Sequence, residues 1–339
     1  MGASLKDIAA ALNLSTTTVS WVLAGKGDEK CISRQTQQRI VECSKRMSYK
    51  PNLIARSLNL GVSKTLGLIL PSINDRFYSQ IAEEIEREAQ KFGYALMLCN
   101  SESQPDKEER MVNMLRAKQV DGIIMAPTKL SNACIHSMLD DDFPFILFDR
   151  YFSDIDTNYV VMDNESCSFK LVDHLIKKGH KKIGVITTNP HLLILQQRYS
   201  GYCRAHEANG LDVDPSLKVN VEFKNYERNI VSALDELFAT HPDIDALFFI
   251  SHILAVEALV YMYERGIDIN RFGLACIHEV STFRALAPKI NTARIPVEAM
   301  GREAVRILIK TIEQKQGDSD YLPAYKNAVT VTAKITYRD

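Results

Sequence analysis

Residues 5–24 read LKDIAAALNLSTTTVSWVLA, and this stretch decides how the chain begins to fold. Ser4 and Ser15 stand where their side-chain oxygens can cap two short helices, and Asp7 follows Ser4 at capping-box spacing. Asn13 lies at the turn between the helices, where asparagine tolerates the left-handed backbone that a tight turn needs. The apolar positions that would pack the two helices together are Ile8, Leu12, Leu14, Val19 and Val22. The stretch therefore predicts two crossed helices.

A crossed pair of this kind is a helix-turn-helix, which places its second helix in the major groove of DNA. The side chains predicted to face outward from that helix are Thr16, Thr17, Ser20 and Trp21. Their hydroxyl groups can reach phosphates or base edges, and we expect Thr18 to contact the DNA backbone. Two alternatives stay open: a plain helical hairpin, and a core position for Trp21. A third helix is expected from Ser33 to about Met47.

The charge of the chain is unevenly distributed. Residues 1–64 contain ten Lys and Arg residues but only four Asp and Glu residues. The remainder of the chain contains 31 Lys and Arg residues and 38 Asp and Glu residues. A basic head on an acidic body indicates that the head alone meets a polyanion such as nucleic acid.

Beyond residue 64 the sequence alternates between continuous apolar runs and amphipathic helical stretches. The apolar runs are TLGLILP, YALMLCN, VDGIIMAP, FPFILFD, KIGVITT and IDALFFI. Such alternation predicts right-handed βαβ units and parallel, doubly wound sheets. The number of units exceeds one sheet of ordinary size, so we expect two similar α/β lobes that join near residues 160–164.

Several classes of protein are disfavoured by what the sequence lacks. The seven cysteines include no C-x-x-C pair, and no G-x-G-x-x-G, P-loop or G-x-S-x-G motif occurs. We therefore predict no catalytic residue, no cofactor and no metal ligand. No run of about 18 apolar residues and no signal peptide are present, so we expect a cytoplasmic protein that does not enter a membrane.

Blocks along nearly the whole chain resemble the lactose-repressor (LacI) family of bacterial regulators. They are LKDIAAALNLSTTTVSWVLAGK, ISRQTQQRI, YKPNLIARSLNLG, VDGIIMAP, FPFILFDR, VVMDNESC, LVDHLIKKGHKKIGVI, RYSGY and PKINTARIP. The resemblance implies an all-α helix-turn-helix headpiece (1–49, motif about 5–24), a hinge helix (50–61) and a periplasmic-binding-protein-like core (62–339). The expected lobes are about 62–161 plus 292–320, and about 162–291 plus 321–339.

The resemblance also implies a repressor that binds a palindromic, double-stranded operator as a homodimer. Its hinge helix is expected to enter the minor groove, where Leu58 wedges between base steps; the alternative is a plain linker. The expected DNA contacts are Ser4, Ser15, Thr16, Thr17, Thr18, Ser20, Trp21, Asn52, Ala55, Arg56 and Leu58. Trp21 stands where relatives more often carry Arg or His, so their base preference does not transfer. The final residues VTVTAKITYRD contain no leucine heptads, and we expect no coiled-coil tetramer.

A small-molecule effector is expected in a cleft between the lobes. The matching positions are Phe77, Tyr78, Asp149, Arg198, Ser251 and His278. Relatives usually carry acidic residues at two second-lobe positions where this chain has Ser251-His252 and His278, and residues 191–195 (HLLIL) are unusually apolar. The cleft therefore favours an anionic or partly apolar effector among three candidates: a sugar, a sugar phosphate or an organic acid. The alternatives are a decayed cleft without effector and a solute-binding receptor.

Overall fold

The computed structural model describes residues 3–49, 61–317 and 327–338. The chain folds as two compact units, residues 1–63 and 64–339. Within the described residues, no helix combines the length and the apolar character needed to cross a membrane.

The first unit contains three helices: α1 (Leu5–Leu12), α2 (Thr16–Leu23) and α3 (Arg34–Arg46). Ser4 caps α1 in a capping box with Asp7, and the Ser15 hydroxyl accepts a hydrogen bond from the Thr18 backbone N–H at 3.0 Å. Asn13 takes the left-handed conformation at the turn (φ 54°). The predicted helix-turn-helix is therefore confirmed, including its caps and its turn residue.

A small apolar core holds the three helices together. Its buried members are Ile8, Ala9, Val19, Val22, Ile40 and Cys43. Each helix contributes two of them, so the third helix covers the crossing of the first two. The prediction that α1 and α2 pack through their apolar faces holds.

The first lobe of the second unit consists of one sheet and the helices around it. Its strands are β1 (Thr65–Leu70), β2 (Ala95–Asn100), β3 (Gly122–Met125), β4 (Phe145–Phe148), β5 (Tyr159–Met162) and β11 (Ala328–Val331). Its helices are α4 (Arg76–Lys91), α5 (Pro105–Ala117), α6 (Ala133–Asp140) and α12 (Val297–Gly317). The strand order is β11-β5-β4-β3-β1-β2, and all the pairs are parallel.

The second lobe repeats this architecture. Its strands are β6 (Ile183–Thr187), β7 (Lys218–Asn220), β8 (Ala246–Phe249), β9 (Gly273–Ile277), β10 (Asn291–Arg294) and β12 (Lys334–Thr336). Its helices are α7 (Asn164–Lys177), α8 (Leu193–Ala208), α9 (Tyr226–Thr240), α10 (His252–Glu264) and α11 (Phe283–Leu286). The order is β12-β10-β9-β8-β6-β7, with only the pair β10–β12 antiparallel among the described strands.

Each lobe has inner strands that are buried along their whole length. Strands β3, β4, β6 and β8 have every residue buried, which explains why they read as continuous apolar runs. The expected architecture of two doubly wound, parallel-sheet lobes is confirmed. The chain crosses between the lobes after β5, after β10 and after β11.

The lobe boundaries differ from the expected ones at two places. Strand β10 pairs with β9 in the second sheet, so the chain returns to the first lobe after Arg294 and not at residue 292. Strand β11 pairs with β5 in the first sheet, although residues 321–339 were expected in the second lobe. Both strands have only four residues, and their sheet is chosen by long-range pairing that local sequence does not encode.

Candidate functional site

Helix α2 presents a polar face on the headpiece. Thr16, Thr17 and Ser20 are exposed on it, as the sequence predicted. Thr18 is half-buried, and its hydroxyl lies 2.8 Å from that of Ser15, so its side chain supports the cap. The exposed hydroxyls lie on consecutive turns of one helix face, the arrangement with which a recognition helix contacts bases and phosphates.

Trp21 extends this face and lies outside the apolar core of the headpiece. Its side chain is 38% exposed, and the Lys30 ammonium lies 5.3 Å from the centroid of its ring. A cation over an indole face is an attractive contact. An exposed tryptophan beside a lysine is a suitable partner for DNA, and the alternative of a core tryptophan is disfavoured.

The predicted hinge contacts Asn52, Ala55, Arg56 and Leu58 lie outside the described residues. Their assignment stays a prediction.

In the second unit, a cavity of about 650 Å³ lies between the two lobes. All six residues predicted for the effector line it, namely Phe77, Tyr78, Asp149, Arg198, Ser251 and His278. Asp149, Ser251 and His278 each follow the end of a parallel strand, which is where open α/β sheets bind their ligands. The sequence therefore identified residues that the fold brings together.

On the first-lobe side, a tyrosine and a carboxylate form a buried pair. The Tyr78 hydroxyl donates to Asp149 Oδ2 at 2.7 Å, and Arg150 Nε lies 3.8 Å from the same oxygen. Burial raises the pKa of Asp149, while the positive charge of Arg150 and the Tyr78 hydrogen bond act against that rise. Asp149 is thus held by two partners from its own lobe.

On the second-lobe side, Arg198 lies at the floor of the cavity and is only 6% exposed. Its Nε donates to Asn164 Oδ1, and its Nη1 donates to the Ile250 carbonyl, both at 2.8 Å. These contacts orient the guanidinium toward the cleft from α8, and both acceptors are neutral.

Two histidine rings lie against each other in the same cavity as this arginine. The rings of His252 and His278 lie 4.5 Å apart between centroids, and His252 Nε2 is 3.7 Å from Asp75 Oδ1 of the first lobe. Burial lowers the pKa of both, and for His278 the charges of His252 and Arg198 add to the effect and bring the pKa to about 3. The sequence suggested a charge on His278 near pH 6.5, but burial keeps this side chain neutral at pH 7.

Other lining residues were not singled out from the sequence. They include Asp75, Thr188, Phe223 and Lys224. Asp75 caps α4 by accepting a hydrogen bond from the Phe77 backbone N–H at 2.8 Å, and its place after a strand was the signal that could have revealed it.

Among the described lining residues, the carboxylates come only from the first lobe. The second lobe therefore lacks the acidic residues that relatives usually carry there. No cluster of side chains suited to a metal ion was found in the described parts of the chain.

The replacement of His278 by asparagine tests its burial, because asparagine does not titrate and tolerates the positive φ of 78° at this position. The pKa of His278 is about 3 in the folded core, against an ordinary value of 6.5. Between these values the unfolded chain binds the extra proton, so acid destabilises the folded state.

We expect the free energy of unfolding to fall with decreasing pH more steeply for the parent than for His278→Asn. The difference between the two slopes is expected to reach up to about 1.4 kcal/mol per pH unit. Urea unfolding between pH 7.5 and pH 5 measures both slopes. Parallel curves for the two proteins would show that His278 is not held neutral.

Comparison with known proteins matches both units of the chain. Residues 4–52 match the family described as "Bacterial regulatory proteins, lacI family". Residues 63–328 match "Periplasmic binding proteins and sugar binding domain of LacI family".

Similar curated proteins are transcription regulators. The repressor PurR of Aliivibrio salmonicida (strain LFI1238) is 26% identical over 333 residues, which cover 97% of this chain and 98% of PurR. The probable regulator EndR of Paenibacillus polymyxa is 28% identical over 331 residues, with 95% and 94% covered.

Solved structures of regulators share the fold. A complex of the regulator CelR with cellobiose has a TM-score of 0.72 at 22% identity, and 99% of each chain is covered. The dual regulator Cra of Pseudomonas putida, solved with fructose 1-phosphate, has a TM-score of 0.71 at 22% identity, covering 81% of this chain and 99% of Cra.

The family matches cover the headpiece and most of the core, and they indicate a transcription regulator rather than an enzyme. This chain belongs to the LacI family of DNA-binding transcription regulators.

Proposed function

We propose that the protein is a homodimeric, cytoplasmic repressor that binds a palindromic operator through α2 and releases or tightens it when an effector enters the cleft. The observation that carries this proposal is the cavity of about 650 Å³, which gathers all six predicted effector residues between the lobes. A sugar, a sugar phosphate and an organic acid are the candidate effectors; CelR and Cra hold examples of the first two.

Contacts across the cleft support a role for lobe movement. Arg76 Nη1 donates to Ser281 Oγ at 2.9 Å, and Gln197 Nε2 donates to the Tyr151 hydroxyl at 3.1 Å. Each bond joins one lobe to the other. A ligand that touches both lobes adds to such contacts and shifts the population toward the arrangement that it binds better.

A decayed cleft is disfavoured by the polar groups that line the cavity. Thr188 Oγ1 and His278 Nδ1 are buried and have no hydrogen-bond partner among the described residues. Unsatisfied buried polar atoms are costly, and a ligand that pairs with them recovers that cost. The solute-binding receptor is disfavoured by the complete, basic headpiece.

The DNA-binding face can be tested with an operator that the full chain selects from randomised palindromic DNA. The double variant Thr16→Ala/Thr17→Ala removes two exposed hydroxyls without touching the headpiece core, and we expect operator affinity to fall at least about tenfold. The control Gln38→Ala/Glu42→Ala removes a polar pair at 3.0 Å on α3 and is expected to bind like the parent. Fluorescence anisotropy at two salt concentrations gives the affinities and the loss with salt that phosphate contacts cause. Equal affinity for parent and double variant contradicts the assignment of α2.

Strand β2 is an edge strand of the first sheet with exposed apolar side chains, and we propose that it contributes to the dimer. Met97 is 40% and Leu98 47% exposed on it. Exposed apolar edges are otherwise a liability for aggregation, and pairing with a second copy covers them.

The variant Leu98→Asp places a charge on this edge and is expected to weaken the dimer, since burying an unpaired carboxylate is costly. Leu130→Asp, at a side chain that is 59% exposed beside the cleft, is the matched control. Sedimentation at micromolar concentration is expected to show dimers for the parent and the control, and monomers for Leu98→Asp. A tetrameric parent, or a fully dimeric Leu98→Asp, contradicts this assembly.

A further inference from the structure

Arg198 is a buried cation that no carboxylate pairs with directly, although the charge of Asp149 acts on it through space. Its two hydrogen-bond acceptors, Asn164 Oδ1 and the Ile250 carbonyl oxygen, are neutral, and no carboxylate lies within 4 Å of it among the described residues. A guanidinium stays protonated in proteins, so its charge persists in the cavity. Buried charges are ordinarily paired, because taking an ion out of water costs several kcal/mol. An anion that enters the cleft would supply the missing partner.

The other cation deep in the cavity already has its partner. Arg150 Nε lies 3.8 Å from Asp149 Oδ2, and the same oxygen accepts the hydrogen bond of the Tyr78 hydroxyl. Lys224 is exposed at the rim, where water screens its charge. His252 and His278 carry no charge at pH 7, since burial lowers the pKa of each. Of the two buried arginines that line the described cavity, Arg198 is therefore the one without a directly paired carboxylate, while Asp75 and Asp149 line the first-lobe side.

The neutral histidines add polar atoms beside Arg198 without adding charge. Buried His278 Nδ1 and Thr188 Oγ1 lack hydrogen-bond partners in the described structure. Both lie in the same lobe as Arg198 and line the same cavity. A planar group with two oxygens can accept two N–H bonds from one guanidinium, and one such oxygen has lone pairs left for a neighbouring donor.

The remaining second-lobe lining is mostly apolar. The aliphatic side chains that form this apolar wall are Leu192, Ile194, Leu195, Ile253 and Ile277. Phe77 and Tyr78 face the cavity from the first lobe. A sugar carries a hydroxyl on nearly every carbon, and each hydroxyl would lose its hydration against such a wall. An apolar ligand body gains from the same contact.

We propose that the effector is an organic acid with a largely apolar body, whose single carboxylate binds Arg198 while the body lies against the apolar wall. The proposal rests on the proposed function, in which this cleft holds the effector. It sets the ligand apart from sugars, which lack the charge, and from sugar phosphates, which bring a second negative charge and many hydroxyls.

The test compares acids with their own amides on the full chain. The probes are benzoate, phenylacetate and hexanoate, each beside its carboxamide, together with glucose and glucose 6-phosphate. An amide matches the acid in shape but lacks the charge. We expect at least one acid to raise the melting temperature of the chain. Calorimetry is expected to give this acid an affinity at least about tenfold higher than that of its amide. The two sugars are expected to leave the melting temperature unchanged.

A matched pair of variants on α8 assigns the effect to Arg198. We expect Arg198→Gln to weaken the acid at least about 30-fold. Arg204→Gln, at an exposed arginine of the same helix that pairs with Glu165, is expected to bind the acid like the parent. Arg198→Gln also loses its hydrogen bonds to Asn164 and Ile250 and can fail to fold. In that case the comparison of acid and amide on the parent decides whether the ligand must carry a negative charge.

The contradicting outcomes are distinct. The proposal is overturned if a sugar stabilises the chain, or if an amide stabilises it as strongly as the matching acid does. It is also overturned if no acid of the panel stabilises the chain. The proposed function is tested separately by operator binding in the same samples. A chain that binds an acid but no operator would refute the proposed function and leave the ligand class intact.

Discussion

The cleft is organised around the buried guanidinium of Arg198. Its hydrogen bonds reach Asn164 at the start of α7 and the carbonyl of Ile250 just after β8, so one side chain ties three segments of the second lobe at the floor of the cavity. These bonds use neutral oxygens, which orient the group but do not pair its charge. The proposed chemistry of the ligand depends on this arrangement.

The fold places this charge where it can act on both lobes. Parallel strands end at the same edge of each sheet, and the chain crosses between the lobes after β5, β10 and β11. A ligand at Arg198 also faces Phe77 and Tyr78 of the first lobe. In the proposed function, binding changes the free energy of one arrangement of the lobes relative to another, and by linkage operator DNA would change the affinity for the ligand by the same factor.

Local signals made much of this architecture predictable from the sequence. The caps Ser4 and Ser15 and the turn residue Asn13 act within a few residues, so the helix-turn-helix was predicted with its bounds. The inner strands are buried on both faces and read as apolar runs. The six cleft residues were placed by resemblance to the LacI family, and the fold brings all six to one cavity.

Features that arise from tertiary contacts were not predictable in the same way. Strands β10 and β11 have four residues each, and only their pairing partners decide to which lobe they belong. The neutral state of His278 results from burial beside His252 and Arg198, which are distant in sequence. The lack of a direct ion pair for Arg198 likewise depends on its neighbours in space, since the direct contacts of Asp149 are with Tyr78 and Arg150.

The most direct measurement of the central claim is operator affinity of the full chain at rising concentrations of the acid that binds most tightly, with its amide as the control. We expect the acid to change the operator dissociation constant at least about fivefold, the lower end of ordinary allosteric coupling, and the amide at the same concentration to leave it unchanged. An operator dissociation constant that is equal with acid, with amide and with buffer alone would show that the cleft does not control DNA binding through the charge of its ligand.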